Sequence, residues 1–322
     1  MTIDTTHAVD HVINVYLVNS FTKDDSGGNP AGVVLGPPSL STEQKTYIAR
    51  RVGFSETAFV YANNETDFKV EFFTAEGEVD FCGHATLAAF FVLASQGFIE
   101  QGGYTQQTKA GILHVAVDDG SIIMDQTKPQ FRRAPSVDKI ADALGIQSEA
   151  ITNTGLPIEI ISTGLPDVFI PLAAGHLDSL TPNFAAISKL SQEFNTIGFH
   201  IFELCNEKST VAQCRNFAPL YGINEESATG SASGALGCYL AKHGITDSLT
   251  FSLEQGRAMG VLSLIQVTID SKQDIIRRVR VGGQASLEGM KEVPISLSHI
   301  EDLRLSEAWR RYFSVRPMPS KA

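Results

Sequence analysis

A thiol and an imidazole stand two positions apart at the predicted start of an apolar helix. They are Cys82 and His84, with Gly83 between them, and the helix is predicted over residues 85–96. The dipole and N–H groups at a helix start favour a thiolate or a bound anion. His84 can donate to such an anion or move a proton, and Gly83 lets a ligand approach the backbone. An isolated cysteine is more often a small buried residue, and Gly83 and His84 weaken that interpretation, although Cys-Gly-His alone is a weak motif.

A carboxylate interrupts a second apolar segment. Glu56 lies in residues 55–60, which read Ser-Glu-Thr-Ala-Phe-Val and predict a strand. The pattern leaves two interpretations open, an exposed charge at a sheet edge or a buried acid/base. Burial against Phe54 and Phe59 is expected to raise the pKa of this carboxyl toward the range that a proton shuttle needs. Glu56 is therefore a candidate catalytic residue.

The spacing of four glycines indicates an internal repeat. Gly97 follows Gly83 by 14 residues, and Gly244 follows Gly230 by 14 residues. Each pair encloses an apolar segment rich in small residues, which is typical of a helix surrounded by protein. Glu226 lies just before the second of these helices. An acidic residue there commonly stabilises the helix dipole, so only the parallel with the first helix makes it a site candidate.

The chain is predicted to be sheet-rich. Strands are predicted over residues 12–19, 31–35, 56–61, 70–74, 111–117, 121–125, 158–162, 168–171, 198–205, 210–217, 250–253, 260–270 and 275–281, and helices over 41–52, 85–96, 229–243 and 299–313. The pattern predicts an α+β fold of two pseudo-equivalent halves. Each half would be a mostly antiparallel sheet or barrel wrapped around a central helix, with the active cleft between the halves.

The domain boundaries follow from a break in this pattern. Residues 128–135 read as a linker, so we predict an N-terminal half over 1–128 and a C-terminal half over 129–295. The segment 296–322 is a candidate addition to the N-terminal half.

The amino-acid composition argues against several classes of protein. The 322 residues are 43% hydrophobic and 19% charged, with a net charge of −11. An acidic surface repels phosphate backbones, so nucleic-acid binding is not expected. No apolar helix is long enough to span a bilayer, and no basic segment precedes an apolar run at the N-terminus, so neither a membrane span nor a signal peptide is expected. The four scattered cysteines indicate reduced thiols and a cytoplasmic location.

Cofactor signatures are also missing from the sequence. No Walker loop, Rossmann fingerprint or close-spaced metal-ligand motif is found. We therefore expect neither a cofactor nor a metal, and proton transfer requires neither.

Taken together, the motifs resemble the PhzF-like phenazine-biosynthesis family, which has the two-halved diaminopimelate-epimerase fold. The resemblance covers roughly residues 12–285 and follows the family's motif order. It rests on Gly28-Asn29-Pro30-Ala31-Gly32-Val33-Val34, Ser55-Glu56-Thr57-Ala58-Phe59-Val60, Phe73-Thr74, Glu78-Val79-Asp80-Phe81-Cys82-Gly83-His84-Ala85-Thr86, Gly164-Leu165-Pro166 and Ala228-Thr229-Gly230-Ser231-Ala232.

The resemblance implies roles for particular residues. It makes Glu56 the acid/base that moves a proton between two substrate carbons, His84 the active-site histidine and Glu226 the family's acidic residue before Thr-Gly-Ser. Substrate-binding residues by the same resemblance are Asn29, Cys82, Gly83, Thr229, Gly230 and Ser231. It also implies a homodimer. Glu226-Ser227 replaces the family's Asp-Pro, and so the pocket is not expected to fit the phenazine precursor itself.

We therefore predict a cofactor-independent isomerase of a small carboxylate-bearing metabolite. Amino-acid epimerases of this fold use two facing thiols, whereas the second helix here begins at Thr229, a poor base. This argues against a symmetric two-thiol racemase. Two alternatives stay open: a one-thiol dehydratase or epimerase that uses Cys82, and a non-catalytic protein that binds small acids.

Overall fold

The computed structural model describes residues 11–205, 210–245, 248–273 and 275–295. The helix predicted over 299–313 and the proposed addition of 296–322 to the N-terminal half lie outside these residues.

The described residues form many strands and few helices. The strands are β1 His11–Thr22, β2 Asn29–Leu35, β3 Glu56–Ala62, β4 Phe68–Phe73, β5 Glu78–Val79, β6 Gly102–Thr108, β7 Gly111–Asp118, β8 Ser121–Gln126, β9 Gln130–Arg133, β10 Glu159–Ser162, β11 Pro166–Leu172, β12 Gly198–Leu204, β13 Ala212–Ala218, β14 Ile223–Glu226, β15 Thr250–Gln255, β16 Ser263–Lys272 and β17 Ile275–Ile295. The α-helices are α1 Thr42–Val52, α2 Gly83–Ser95, α3 Val137–Leu144, α4 Glu149–Thr152, α5 Phe184–Phe194 and α6 Gly230–Lys242. Two short 3₁₀ helices are Pro219–Tyr221 and Arg257–Met259.

The residues fall into two compact units. The described part of the first unit lies within Met1–Ser20, Pro30–Ile122 and Ala285–Ala322, and that of the second within Phe21–Asn29 and Ile123–Gln284. The sequence placed the corresponding boundaries after residues 128 and 295. The linker predicted over 128–135 is wrong in its middle part, because β9 pairs there with β10, with Phe131 opposite Ile161.

The same order of strand pairings occurs in each unit. In the first, β2 and β3 are parallel, β3 and β4 antiparallel, β4 and β6 parallel, and β6 and β7 antiparallel. In the second, the corresponding pairs are β11 and β12, β12 and β13, β13 and β15, and β15 and β16. The sheet-rich α+β class is thus confirmed, whereas the description as two pseudo-equivalent halves around a cleft stays a prediction.

The two glycine-bounded helices form as the sequence predicted. Helices α2 and α6 each contain 13 residues, and most of their side chains are buried all round. Gly97 and Gly244, just beyond their ends, have φ of 74° and 59°. Glycine adopts this left-handed conformation without the steric cost that a Cβ brings. Both helices are therefore held inside their own unit by sheet on several sides, α2 by β3 and β7 and α6 by β10 and β16.

Helix α1 forms where the sequence predicts a helix over 41–52, and hydrogen bonds at its start stabilise it. The Ser41 side chain accepts a hydrogen bond from the Gln44 backbone, and the Gln44 side chain accepts one from the Ser41 backbone. This reciprocal arrangement is a capping box, which satisfies two N–H groups at the helix start. Within the described residues, none of the helices has both the length and the apolar character needed to cross a membrane.

Candidate active site

Strand β3 and helix α2 bring the first group of site residues together. Glu56 is the first residue of β3, where Ala31 of the parallel strand β2 stands opposite it. Cys82 is the N-cap of α2, and His84 lies in the first turn of that helix. Since α2 packs against β3, the start of the strand and the start of the helix meet within the first unit.

The three side chains are in direct contact. Nε2 of His84 lies 3.2 Å from Oε2 of Glu56, and Nδ1 of His84 lies 3.4 Å from Sγ of Cys82. Oγ of Ser55 also lies 3.3 Å from Nε2 of His84. The Glu56–His84 contact is a close ion pair that lacks aligned hydrogen-bond geometry, because Oε2 of Glu56 has no hydrogen-bond partner among the described residues. Sequence reasoning missed Ser55, although it directly precedes Glu56.

Burial and opposite charge compete at Glu56. Burial by itself would raise the pKa of this carboxyl, but the interaction with His84, helped by Ser55 and Cys82, outweighs it and leaves the pKa below its ordinary value. The raised pKa expected from the sequence is therefore wrong in direction. Glu56 is a carboxylate at neutral pH, which is the form that can accept a proton.

The pKa values of His84 and Cys82, the two partners of Glu56, are both raised. Burial disfavours the charged imidazolium of His84, but the interactions with Cys82 and Glu56 favour it and hold its pKa well above the ordinary value. Burial raises the pKa of the Cys82 thiol. These directions make the Glu56 carboxylate the candidate base and the His84 imidazolium the candidate proton donor.

Hydrogen bonds from neighbouring side chains fix the helix start. Oγ of Ser20 donates to the carbonyl of His84 at 2.7 Å, and Oγ1 of Thr86 donates to the carbonyl of Cys82 at 2.9 Å. Nε2 of Gln106 in turn donates to Oγ1 of Thr86 at 3.2 Å. Thr86 ends the motif that contains Cys82 and His84, whereas no motif singled out Ser20 or Gln106, because their roles depend on contacts between residues far apart in sequence.

A second group of predicted residues assembles in the second unit. Oε1 of Glu226 accepts a hydrogen bond from Nδ2 of Asn29 at 3.0 Å, and Oε2 accepts one from Oγ1 of Thr229 at 2.6 Å. Nδ2 of Asn29 also donates to the carbonyl of Ala228 at 3.0 Å. Asn29 therefore positions Glu226, and both carboxylate oxygens are oriented before any ligand arrives.

Gln255 links this group to the start of helix α6. Its Oε1 accepts from the backbone N–H of Thr229 at 3.2 Å, and its Nε2 donates to Oγ1 of Thr229 at 3.0 Å and to the carbonyl of Glu226 at 2.8 Å. Gly230 begins α6, and the carbonyl of Ser231 accepts from Oγ1 of Thr163 at 3.0 Å. Gln255 was missed in the sequence because it lies in a separate strand, β15.

Asp167 is a further acid that the sequence did not single out. It directly follows the Gly164-Leu165-Pro166 turn, is 1% exposed, and its Oδ1 has no hydrogen-bond partner among the described residues. Burial and the charge of Glu226 raise its pKa to about 7, against a weaker opposing hydrogen bond from Gly198. Asp167 is therefore an electrostatic neighbour of Glu226.

The structure thus sorts the predicted site residues into two groups. Glu56, Cys82, Gly83 and His84 lie together at the start of α2 in the first unit, and Asn29, Glu226, Thr229, Gly230 and Ser231 lie together at the start of α6 in the second. That both groups face one cleft stays a prediction. Glu56, Cys82 and His84 are also the described residues that could hold a metal ion, since their ligand atoms lie within 4.8 Å of one another.

Known proteins with similar sequences belong to one family and include isomerases. Residues 18–289 match the family model of the phenazine biosynthesis-like proteins, PhzC-PhzF. An uncharacterised isomerase of Clostridium acetobutylicum is 36% identical over 287 residues, which cover 84% of this chain and 95% of the relative. The trans-2,3-dihydro-3-hydroxyanthranilate isomerase of Pseudomonas chlororaphis is 30% identical over 275 residues, with 83% and 94% covered.

A solved structure from the PhzF family has a similar fold. The Bacillus anthracis phenazine biosynthesis protein of the PhzF family has a TM-score of 0.79 and 30% sequence identity, and the match covers 88% of this chain and 100% of that one. The fold and these relatives define an isomerase. The chain belongs to the phenazine biosynthesis-like, or PhzF, family.

Proposed function

We propose that the chain isomerises a small carboxylate-bearing metabolite by proton transfer through Glu56, without a cofactor. The observation that carries this proposal is the contact between the Glu56 carboxylate and the His84 imidazolium at the start of α2. It keeps a base ionised in a site that is mostly closed to water. A positioned general base contributes typically 10²–10⁴-fold to the rate.

The His84 imidazolium assists Glu56 during the proton transfer. While Glu56 removes a proton from one substrate carbon, His84 can donate a hydrogen bond to the negative charge that develops on the substrate. Glu56 then returns the proton to a second carbon, which completes the isomerisation. Proton transfer of this kind consumes neither a redox equivalent nor a metal.

The start of α6 is the proposed docking point for the substrate carboxylate. The N–H groups and dipole at a helix start favour an anion, and Gly230 and Ser231 open this helix. Glu226 is held by Asn29 and Thr229, so its carboxylate can discriminate between substrates by repelling a wrongly placed anion. This arrangement requires that the starts of α2 and α6 address one ligand.

The remaining expectations rest on the family resemblance and on composition. We propose a homodimer in the cytoplasm, acting on a small molecule and not on nucleic acid or a membrane. The pocket is proposed to differ from that of the phenazine-precursor enzymes, because Glu226 is longer by about one methylene than the family's usual aspartate.

A one-thiol dehydratase or epimerase is the second candidate. The observation that favours it is the 3.4 Å contact between Cys82 and His84, since an imidazole can serve a cysteine as its base. The raised pKa of the Cys82 thiol ranks it below the glutamate mechanism.

Proton exchange tests the proposal directly. The protein is incubated in deuterated water with a panel of small unsaturated, hydroxy and amino carboxylic acids, and deuterium incorporation is followed by NMR. We expect one class of acid to incorporate deuterium at carbon with wild-type protein. We expect the exchange rate to fall by roughly 10²–10⁴-fold in Glu56→Gln, with ligand affinity retained. Binding without exchange in the wild type would favour a non-catalytic protein, and near wild-type exchange in Glu56→Gln would exclude Glu56 as the base.

A further inference from the structure

We propose that Glu56, Cys82 and His84 form a binding site for a thiophilic divalent cation of the zinc type, and that the bound ion inhibits the isomerase. The donors are the carboxylate of Glu56 and the imidazole and thiolate that remain when His84 and Cys82 each release a proton to water as the ion binds, and all three are common zinc ligands. Binding of the ion rests on geometry alone. Inhibition rests in addition on the proposed catalytic role of Glu56.

The ligand atoms are close enough together to reach one ion after a side-chain rotation. A tetrahedral ion with bonds of about 2.0–2.3 Å holds its ligand atoms roughly 3.4–3.6 Å apart. Nε2 of His84 lies 3.2 Å from Oε2 of Glu56 and 3.8 Å from Sγ of Cys82. Sγ is nearly as close to Nδ1 of the same ring, at 3.4 Å, so the thiol lies beside the ring and not along the lone pair of Nε2. A turn of the imidazole ring is therefore needed before the three residues, whose ligand atoms lie within 4.8 Å of one another, can share one ion.

One of the ligand atoms has an unfilled bonding requirement. Oε2 of Glu56 is buried and has no hydrogen-bond partner among the described residues. A buried carboxylate oxygen in this condition loses the hydrogen bonds that water would give it. A bound cation would take the place of the His84 imidazolium, whose Nε2 lies 3.2 Å from this oxygen.

The helix start restrains the other two ligands. Cys82 and His84 are 8% and 6% exposed, and their carbonyl groups accept hydrogen bonds from Thr86 and Ser20 respectively. Binding an ion therefore requires little ordering of the chain. Three protein ligands leave a fourth position for water or for a carboxylate of a small molecule, as in other open zinc sites.

The Cys82 thiolate makes the site selective among divalent cations. Soft sulfur ligands favour Zn²⁺ and Co²⁺, whereas Mg²⁺ and Ca²⁺ prefer all-oxygen sites. An ion held by Glu56 and His84 occupies the lone pair that must accept the substrate proton and the nitrogen that must donate. Free enzyme and metal-bound enzyme would thus be active and inactive forms of the same site.

Cobalt binding tests the site without any need for a substrate. CoCl₂ is titrated into the full-length, metal-free protein, and the absorption of the thiolate-to-cobalt charge-transfer band and the visible bands of four-coordinate Co²⁺ is recorded. We expect one Co²⁺ per chain with a thiolate band. The band should disappear in both Cys82→Ser and Cys82→Ala, and affinity should fall by more than about tenfold in Glu56→Gln.

Cys205→Ser is the matched control. Cys205 is half-buried in the second unit, so its replacement should leave the band unchanged. Circular dichroism establishes that each variant is folded. A wild-type protein without a thiolate band, or a band of undiminished intensity in both Cys82 variants, would overturn the binding site.

The second arm measures deuterium exchange with ZnCl₂ or MgCl₂ present. We expect Zn²⁺ to abolish exchange at stoichiometric concentration, a chelator to restore it, and Mg²⁺ to have no effect. A thiolate band in the cobalt titration, together with deuterium exchange that Zn²⁺ does not reduce, would exclude inhibition by the ion but would still support the binding site. Failure of the metal-free protein to exchange any acid would instead count against the proposed function, while the cobalt band still decides the metal site.

Discussion

Nε2 of His84 lies 3.2 Å from Oε2 of Glu56, which joins the first turn of helix α2 to the first residue of strand β3. Both groups are largely removed from water, so the attraction between their opposite charges is screened less than at a surface. This contact decides the protonation of the site, because it reverses the effect that burial alone would have on Glu56. It also makes the behaviour of Glu56 depend on His84.

Replacement of His84 by glutamine should move the pH profile. Burial then acts on Glu56 without the opposing imidazolium, so the pKa of Glu56 should rise. Glu56 must be ionised to accept a proton, and so activity is lost as pH falls through this pKa. The acid limb of the kcat/KM profile should therefore shift to higher pH. His114→Gln, a substitution of an exposed histidine in β7, is the control, and an unmoved limb in His84→Gln would count against the ion pair.

Replacement of Cys82 by serine should be tolerated better than replacement of Glu56 by glutamine. Burial raises the pKa of the thiol, so it is protonated at neutral pH and contributes little as a base. Serine keeps a small polar group at the N-cap of α2. Steady-state kinetics on both variants make the comparison. A folded Cys82→Ser protein without activity would replace our mechanism by the one-thiol alternative.

The effects of Glu226 and Glu56 on catalysis should be coupled. If both carboxylates serve one ligand, the losses in kcat/KM for Glu226→Gln and Glu56→Gln should not add in the double variant. We expect the double variant to be barely worse than Glu56→Gln alone. Glu149→Gln, which replaces an exposed acid in the short helix α4, is the control. Any change that it makes in kcat/KM should add to the loss caused by Glu56→Gln. Full additivity of the Glu226 and Glu56 losses would place Glu226 outside the site.

Asp167 should make the protein less stable as pH rises. Its pKa is about 7 in the folded protein against 3.8 ordinarily, so between these values the folded state binds more protons than the unfolded state. The free energy of unfolding therefore falls as pH rises from about 4 to about 7, and the total loss is on the order of a few kcal/mol.

The variant Asp167→Asn isolates this contribution. Burial lowers the pKa of His200 to about 3, so this residue makes the free energy of unfolding rise with pH below pH 6.5. His200 is present in both proteins, and its contribution therefore cancels in the difference between them. Relative to wild type, the variant should gain stability progressively from about pH 4 to about pH 7 and then level off. Urea unfolding at several pH values measures this, and a difference that is constant with pH would show that Asp167 does not titrate as described.

Local signals in the sequence located most elements that carry the site. The helix predicted over 41–52 corresponds to α1, and the paired glycines predicted the ends of α2 and α6. The sequence instead predicts a linker at residues 130–133, because the strand there is short, exposed and defined only by its partner β10. A strand that depends on pairing with a distant segment leaves little trace in its own residues.

The sequence by itself determined which residues can do chemistry: a carboxylate in an apolar strand, a thiol and an imidazole at a helix start, and an acid before a second helix. It also determined the family, through motifs in a fixed order. Only the tertiary structure decided that Glu56, Cys82 and His84 touch and that Asn29, Thr229 and Gln255 hold Glu226. The lowered pKa of Glu56 followed from the first of these contacts. The physical reason is that a pKa depends on charges within a few ångströms in space, and the packing of α2 on β3, not the order of the residues, sets those distances.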